Sequence, residues 1–328
     1  MRWDFWKRRR RGGREHGLAR FTLPTVVFEI APRFVAGTRL EGSGRQPRRV
    51  RRMGVQQLEA HSLEPHPGRP NVANQEEVRR AIREVAEVTG NGTGRFGLLV
   101  PDAAVRVAVL SFETLPEDAR EAEALVRWRM RDKLPFAPEE ARVSYQVLAR
   151  ELKYVEVLAV AARGSVLAEY EAALEPVNGG PVLTLPATVA LLPLLSDEAA
   201  GGHLLLHVCS PWVTAVLMVK GRPCFWRTRE LDAAAAENPA QEVAAEAARV
   251  LASARDNSET KLEQAWLCVR PPATSELVSA VAEAISHEVE MLLPHAEVGA
   301  ALSAEERRLF EYFGAPVAGL VSNSGQKA

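Results

Sequence analysis

Apolar and polar positions along this chain alternate with two different periods, and the changes of period mark out its elements. Val26, Val27, Phe28 and Ile30 form an apolar run that ends at Ala31-Pro32, and Phe34-Val35-Ala36 returns from it. Phe21 to Leu40 therefore predicts a first hairpin. Met53 to Ala60 reads as a further strand, with Pro65, Pro67 and Pro70 breaking the chain behind it. From Gln75 to Thr89 the period changes, because Val78, Ile82 and Val85 recur at helical spacing and predict an amphipathic helix. The loop Gly90-Asn91-Gly92-Thr93-Gly94 ends a helix and feeds a strand. A phosphate cradle has the opposite order, so this loop predicts a cap and turn.

The stretch from Phe96 to Arg150 is the most structured in pattern. Leu98, Leu99 and Val100 stop at Pro101-Asp102, and Val105, Val107 and Val109 alternate with other residues, which predicts a second hairpin. Pro116, Glu117 and Asp118 open a helix with acid in its first turn, and Leu125, Trp128 and Arg129 lie near one face of it. Pro135 ends that helix at Lys133 or Leu134, ahead of a third strand. Tyr154 to Ala162 predicts an apolar strand, Val166 to Leu174 a helix, and Leu183 to Leu195 a buried helix crossing between two halves. His203 to Val208 and Trp212 to Val219 form another hairpin, turned by Gly221-Arg222-Pro223 toward Phe225-Trp226-Arg227 in an echo of the first. A long helix over Pro239 to Ala254, a strand over Ala265 to Val269, a helix over Thr274 to Ser286 and a closing helix through Phe310 follow.

Length and composition narrow the class. A chain of 328 residues is long enough for two domains or one duplicated fold, and 47% apolar with 25% charged residues is ordinary for a soluble protein. No run of about 18 apolar residues is present, and Arg8 to Arg11 leads into glycines and charge where a secretory signal needs an apolar region. A cytosolic location is expected. Charge is uneven: Met1 to Arg52 holds 15 Lys/Arg against 4 Asp/Glu, a net +11, so the other 276 residues carry −12 to reach the overall −1. Trp3, Phe5 and Trp6 beside Lys7 to Arg11 suit an anionic membrane face; a solvated basic tail or a nucleic-acid arm would look alike.

Candidate chemistry is sparse. Cys209, Cys224 and Cys268 are odd in number and widely spaced, which disfavours a disulfide framework or a zinc site and predicts buried small apolar residues. His203 and His207 are four apart without a third ligand, and His61 and His66 flank a proline-rich loop, so all four predict structural histidines. Neither Ser165 nor Ser210 has nucleophile-elbow spacing. The acids from Glu117 to Glu123 answer their own helix dipole. The sequence predicts no catalytic residue and no metal site.

Read together, Leu115-Pro116, an acidic helix, Arg127-Trp128, Pro135-Phe136 and Tyr145-Gln146-Val147-Leu148 resemble the PilM family of type IV pilus assembly, and more loosely the equivalent part of its type II secretion counterpart. Val160-Ala161-Ala162-Arg163 and Leu174-Glu175-Pro176 extend the likeness, which continues more weakly to Leu320. The resemblance implies an α/β, actin-like (RNase H-like) duplicated fold with an inserted subdomain. Its parts would be a basic flexible arm over 1–20, a first half over 21–195 holding an insertion at about 99–150, a second half over 196–321, and a disordered tail over 322–328.

The resemblance also implies where a nucleotide would sit, and there this chain departs from the family. Two Asp-Ile-Gly turns and a Gly-Gly turn are expected, one carboxylate working with magnesium. Their counterparts are Glu29-Ile30-Ala31-Pro32, His207-Val208-Cys209-Ser210-Pro211 and Arg270-Pro271-Pro272. Degenerate phosphate and adenosine turns at Glu29, Ala31, His207, Cys209, Pro271 and Pro272 lack the glycines, and proline has no N–H to offer a phosphate. The expectation is thus a pseudo-ATPase scaffold with no cofactor, ATP and magnesium being disfavoured. The alternatives are an active ATP-binding relative in which Glu29 replaces the usual Asp, or a nucleic-acid-binding protein using its basic arm. By resemblance the partner is the cytosolic tail of a PilN-like membrane protein, linked in turn to a pilus motor ATPase, with the chain peripheral at the inner membrane face. Arg127, Trp128, Arg131, Leu134 and Phe136 are the candidate tail contacts, against the plainer reading of Trp128 and Phe136 as core and the arginines as solvated surface.

Overall fold

The computed structural model describes residues 23–42, 48–90, 94–195, 201–232, 239–255, 261–270 and 275–325. The basic arm, Pro271 and Pro272 lie outside them. Two five-stranded sheets share one topology. The first comprises β1 (Val26–Ala31), β2 (Phe34–Glu41), β3 (Arg49–Gln57), β4 (Arg95–Val100) and β8 (Gly180–Pro186), in the order β3-β2-β1-β4-β8. The second comprises β9 (Gly202–Cys209), β10 (Trp212–Val219), β11 (Arg222–Glu230), β12 (Leu262–Val269) and β13 (Val289–Met291), in the order β11-β10-β9-β12-β13. In each, the first three strands form an antiparallel meander and the last two run parallel to the first. This is the duplicated arrangement that the repeated hairpin pattern implies.

Helix placement follows from burial. β1 reads VVFEIA and is buried at every position, including Glu29, because helices and sheet neighbours cover both its faces. α1 (Gln75–Thr89) packs Val78, Ala81, Ile82 and Val85 against this sheet and begins where the Asn74 side chain accepts the Glu77 N–H. In the second half α5 (Ala240–Arg255) takes the corresponding place, and α6 (Ser275–Ile285) crosses from β12 to β13. α3 (Gly164–Ala173) is the matching crossover between β4 and β8, but β5 (Arg106–Phe112), α2 (Ala119–Met130), β6 (Ala141–Arg150) and β7 (Val155–Arg163) are inserted ahead of it. These strands make a separate sheet, β5-β7-β6, on which α2 lays Ala122, Val126 and Met130.

Several expectations are corrected. β4 and β5 are not a hairpin: a 3-10 turn over Asp102–Ala104 carries the chain out of the first sheet, and β5 pairs with β7. The alternation of Val107 and Val109 is real, but it arises because the inserted sheet leans on the main core with one face and on α2 with the other. The inserted sheet also runs to Arg163, beyond the boundary near 150, because β7 is its central strand. Leu183 to Leu195 begins as β8 and becomes helical only at α4 (Ala187–Leu191); an apolar run buried on all sides has no period to tell strand from helix. After α7 (Ala304–Phe313), α8 (Ala315–Gly325) runs past Ser322, with Val317, Ala318, Leu320 and Val321 buried, so the helix extends into the stretch read as a frayed tail. α8 packs against α4.

Candidate functional site

The carboxyl ends of β1, β4, β9 and β12 converge, which is where open parallel sheets place ligands. The cleft there is lined by Glu29, Ala31 and Pro32 from β1 and its turn, Pro101, Asp102 and Ala103 after β4, and Ala187 of α4. His207 and Cys209 of β9, Trp212 and Thr214 of β10, and Arg270 after β12 close the other side. About 320 Å³ of space lies between these residues, part of it open to solvent.

Arg270 reaches across this space to the opposite wall. Its backbone N–H continues the β12–β9 register to the Val208 carbonyl at 3.0 Å, which aims the side chain across the cleft. The guanidinium is buried, donates from Nη1 to Glu29 Oε1 at 2.5 Å, and lies 5.5 Å from the Phe34 ring centroid. Burial disfavours its charge, but the Glu29 carboxylate, together with the neighbouring Cys209 and Cys268, leaves its pKa above the usual arginine value. Glu29 comes from the first half and Arg270 from the second, so the pair ties the two sheets together.

A second set of bonds completes the connection. Arg270 Nε and Nη2 lie 3.2 and 2.8 Å from His207 Nε2. A guanidinium only donates, so Nε2 accepts and the imidazole is neutral with its hydrogen on Nδ1. Nδ1 is 2.6 Å from Thr188 Oγ1 and 3.1 Å from Asp102 Oδ2. The Thr188 hydroxyl donates to Asp102 Oδ2 at 2.7 Å and its N–H to Oδ1 at 3.1 Å. Burial lowers the His207 pKa first, and the Arg270 charge lowers it further, against the opposing pull of Asp102 and Glu29. Glu29 Oε2 is buried with no hydrogen-bond partner among the described residues.

Of the residues singled out from sequence, Glu29, Ala31, His207 and Cys209 are brought together in this cleft. Pro271 and Pro272 follow Arg270 directly. The Cys209 and Cys268 thiols, pushed up to about 12 and about 11 by burial, are poor nucleophiles. Cys224 departs from the expected burial: the residue is exposed, with its thiol directed at the Leu217 carbonyl. Among the described residues no group of three or more His, Cys, Asp or Glu side chains is placed to hold a metal ion. Asp102, Thr188 and the side chain of Arg270 escaped the sequence reading. One signal was present, the hydroxyls of Thr184 and Thr188 within an otherwise apolar run.

The tail-contact candidates lie elsewhere, on the inserted subdomain. Trp128 is 53% exposed, not core, and Arg131 stacks on it at 4.5 Å from the ring centroid. The α2 face turned inward is Ala122, Val126 and Met130, so Trp128 falls on the outer side. Arg127 pairs with Glu123 at 2.7 Å and Arg131 with Asp132 at 3.3 Å. Leu134 and Phe136 are half-buried against the subdomain's own core.

Comparison with known proteins rests on shape, since neither the protein-family models nor the curated proteins contain a match to the sequence. A solved PilM-PilN type IV pilus biogenesis complex contains a chain similar to this one, with a TM-score of 0.75 at 19% identity over 93% of this chain and 99% of that one. The cytoplasmic domain of EpsL, an inner membrane component of the type II secretion system of Vibrio cholerae, gives a TM-score of 0.46 at 9% identity, covering 80% of this chain and 94% of that one. The ethanolamine utilization protein EutJ from Carboxydothermus hydrogenoformans gives 0.47 at 8% identity, covering 92% and 91%. The duplicated sheets, the cleft between them and the inserted subdomain thus give this chain a PilM-like, actin-like fold along nearly its whole length.

Proposed function

We propose that this protein is a scaffold of a type IV pilus or related secretion platform, lying at the cytoplasmic face of the inner membrane. It docks the cytosolic tail of a PilN-like membrane protein and does not hydrolyse ATP. The observation that carries the reading is the coincidence of a PilM-like fold over almost the whole chain with a cleft whose Glu29 carboxylate is already engaged by Arg270. A magnesium nucleotide needs backbone N–H groups at its phosphates and a free carboxylate at its metal. Here Pro32 supplies no N–H, and the Glu29 carboxylate is held by Arg270. Binding a nucleotide would require breaking a buried ion pair as well as displacing the guanidinium.

Trp128, with Arg131 against it, is the exposed aromatic anchor on the inserted subdomain, and a tail lying along α2 would bury it. The experiment is a pull-down of the full-length chain with the cytosolic tail peptide of a neighbouring single-span membrane protein. Retention is expected with and without MgATP, and no retention under either condition would reject the scaffold reading. Calorimetric titration with MgATP is expected to give no heat of binding. Binding that Glu29→Ala removes would instead make the chain an active nucleotide-binding relative. Liposomes of anionic lipid test the basic arm separately, with salt-sensitive binding expected to vanish when residues 1–18 are deleted.

A further inference from the structure

A cleft between two related sheets is normally the place where a bound ligand decides how the halves sit. In this molecule the position is occupied from within. Arg270 leaves β12 of the second half and ends on Glu29 of β1 in the first, with 1% and 3% of the two side chains exposed. The next link, His207 on β9, is likewise bonded across the divide, to Asp102 after β4 and Thr188 at the start of α4. Every donor in this chain points one way, from Arg270 outward to the two carboxylates. We propose that the Arg270 guanidinium is a built-in ligand of the cleft: it bridges the strand ends of both halves and holds the two walls together without any nucleotide or metal. The inference goes beyond the scaffold reading and does not depend on which partner docks.

Geometry separates this role from ordinary packing. The two halves also share an apolar core, to which Leu205, Val216 and Met218 contribute from the second half, and α4 packs against α8. If that core alone fixed the halves, the polar bridge would be a passive filling. If the bridge holds the two walls together, its loss widens the approach to Cys209, a half-buried residue that lines the cleft beside Arg270.

The Cys209 thiol is therefore the reporter. In the full-length protein, N-ethylmaleimide labelling of Cys209 is followed by peptide mass analysis, with the exposed Cys224 as internal standard. Arg270→Ala is expected to speed Cys209 labelling by about tenfold or more while Cys224 is unchanged, since an opening made ten times more frequent exposes the thiol ten times as often. Millimolar methylguanidinium, which refills the fork, is expected to restore slow labelling; methylammonium, a point charge without a fork, is not. Should Arg270→Ala fail to fold, Glu29→Gln carries the test, because it weakens the bridge while leaving the guanidinium in place, and labelling should again accelerate. Cys209 reacting at the wild-type rate in the folded variant, or equal rescue by both cations, would overturn the proposal.

Discussion

At the scale of single residues, a guanidinium removed from water is tolerated only when acceptors surround it, and Arg270 has Glu29 and the His207 imidazole. Removing one partner leaves the other charge buried alone. Arg270→Gln is accordingly expected to destabilise the protein by ~3–5 kcal/mol in urea unfolding. The double variant Glu29→Gln with Arg270→Gln should lose less than the single one, since no orphan charge remains; additive losses would show that the pair is not coupled. His207 contributes to the pH dependence alongside His203 and His66, whose pKa values burial also lowers. The folded pKa of His207 lies below the usual 6.5, so the unfolded chain binds the proton more readily. The contribution is thus fully present above about 6.5 and is lost as pH falls from there toward the lowered folded value. Chemical unfolding from pH 7.5 down to pH 5 is expected to give falling stability, with a shallower fall in His207→Gln.

At the scale of elements, helix ends and crossings carry separable predictions. α7 opens with a reciprocal cap: Ser303 Oγ accepts the Glu306 N–H at 3.3 Å and the Ser303 N–H donates to Glu306 Oε2 at 3.2 Å. The other Glu306 oxygen meets Arg52 at 2.9 Å and accepts the Met53 N–H at 3.4 Å, covering part of the outer edge of β3. Ser303→Ala is expected to cost about 1 kcal/mol by thermal or urea unfolding. Gly319 is different in kind. It lies where α8 crosses α4, and a Cβ there would collide with the Ala190 carbonyl. Gly319→Ala should therefore lower the melting temperature although alanine is the better helix former; an unchanged or raised melting temperature would mean that the two helices slide apart freely. The insertion also follows from its sequence: Asp118 caps α2 by accepting the Arg120 and Glu121 N–H groups, and Arg131–Lys133 tightens into a 3-10 turn before Pro135.

At the scale of the whole molecule, the exposed ring of Trp128 makes the docking proposal testable apart from stability. Trp128→Ala is expected to weaken capture of the partner tail by about tenfold while the melting temperature changes little, because the ring is 53% exposed on the outer face of α2. Equal affinity in the variant would move the docking surface away from α2. The repeated hairpins, α1, α5 and α6 were legible in the sequence, because periodicity and proline act through neighbours along the chain. The inserted sheet was legible only in part: the Val107 and Val109 alternation gave a strand but not its partner, and α2 was legible as a helix while its pattern left Trp128 open between core and surface. What the chain by itself determined was local, namely which segments extend, which coil, and where a backbone N–H is missing. The tertiary structure decided that Arg270, Glu29, His207, Thr188 and Asp102, spread over 241 positions between the bonded ends Glu29 and Arg270, meet in one cleft. Their pairing depends on the ends of β1, β4, β9 and β12 being brought side by side, and such adjacency leaves no periodic trace in a sequence, because each of these residues is polar among apolar neighbours for a reason that lies in another part of the chain.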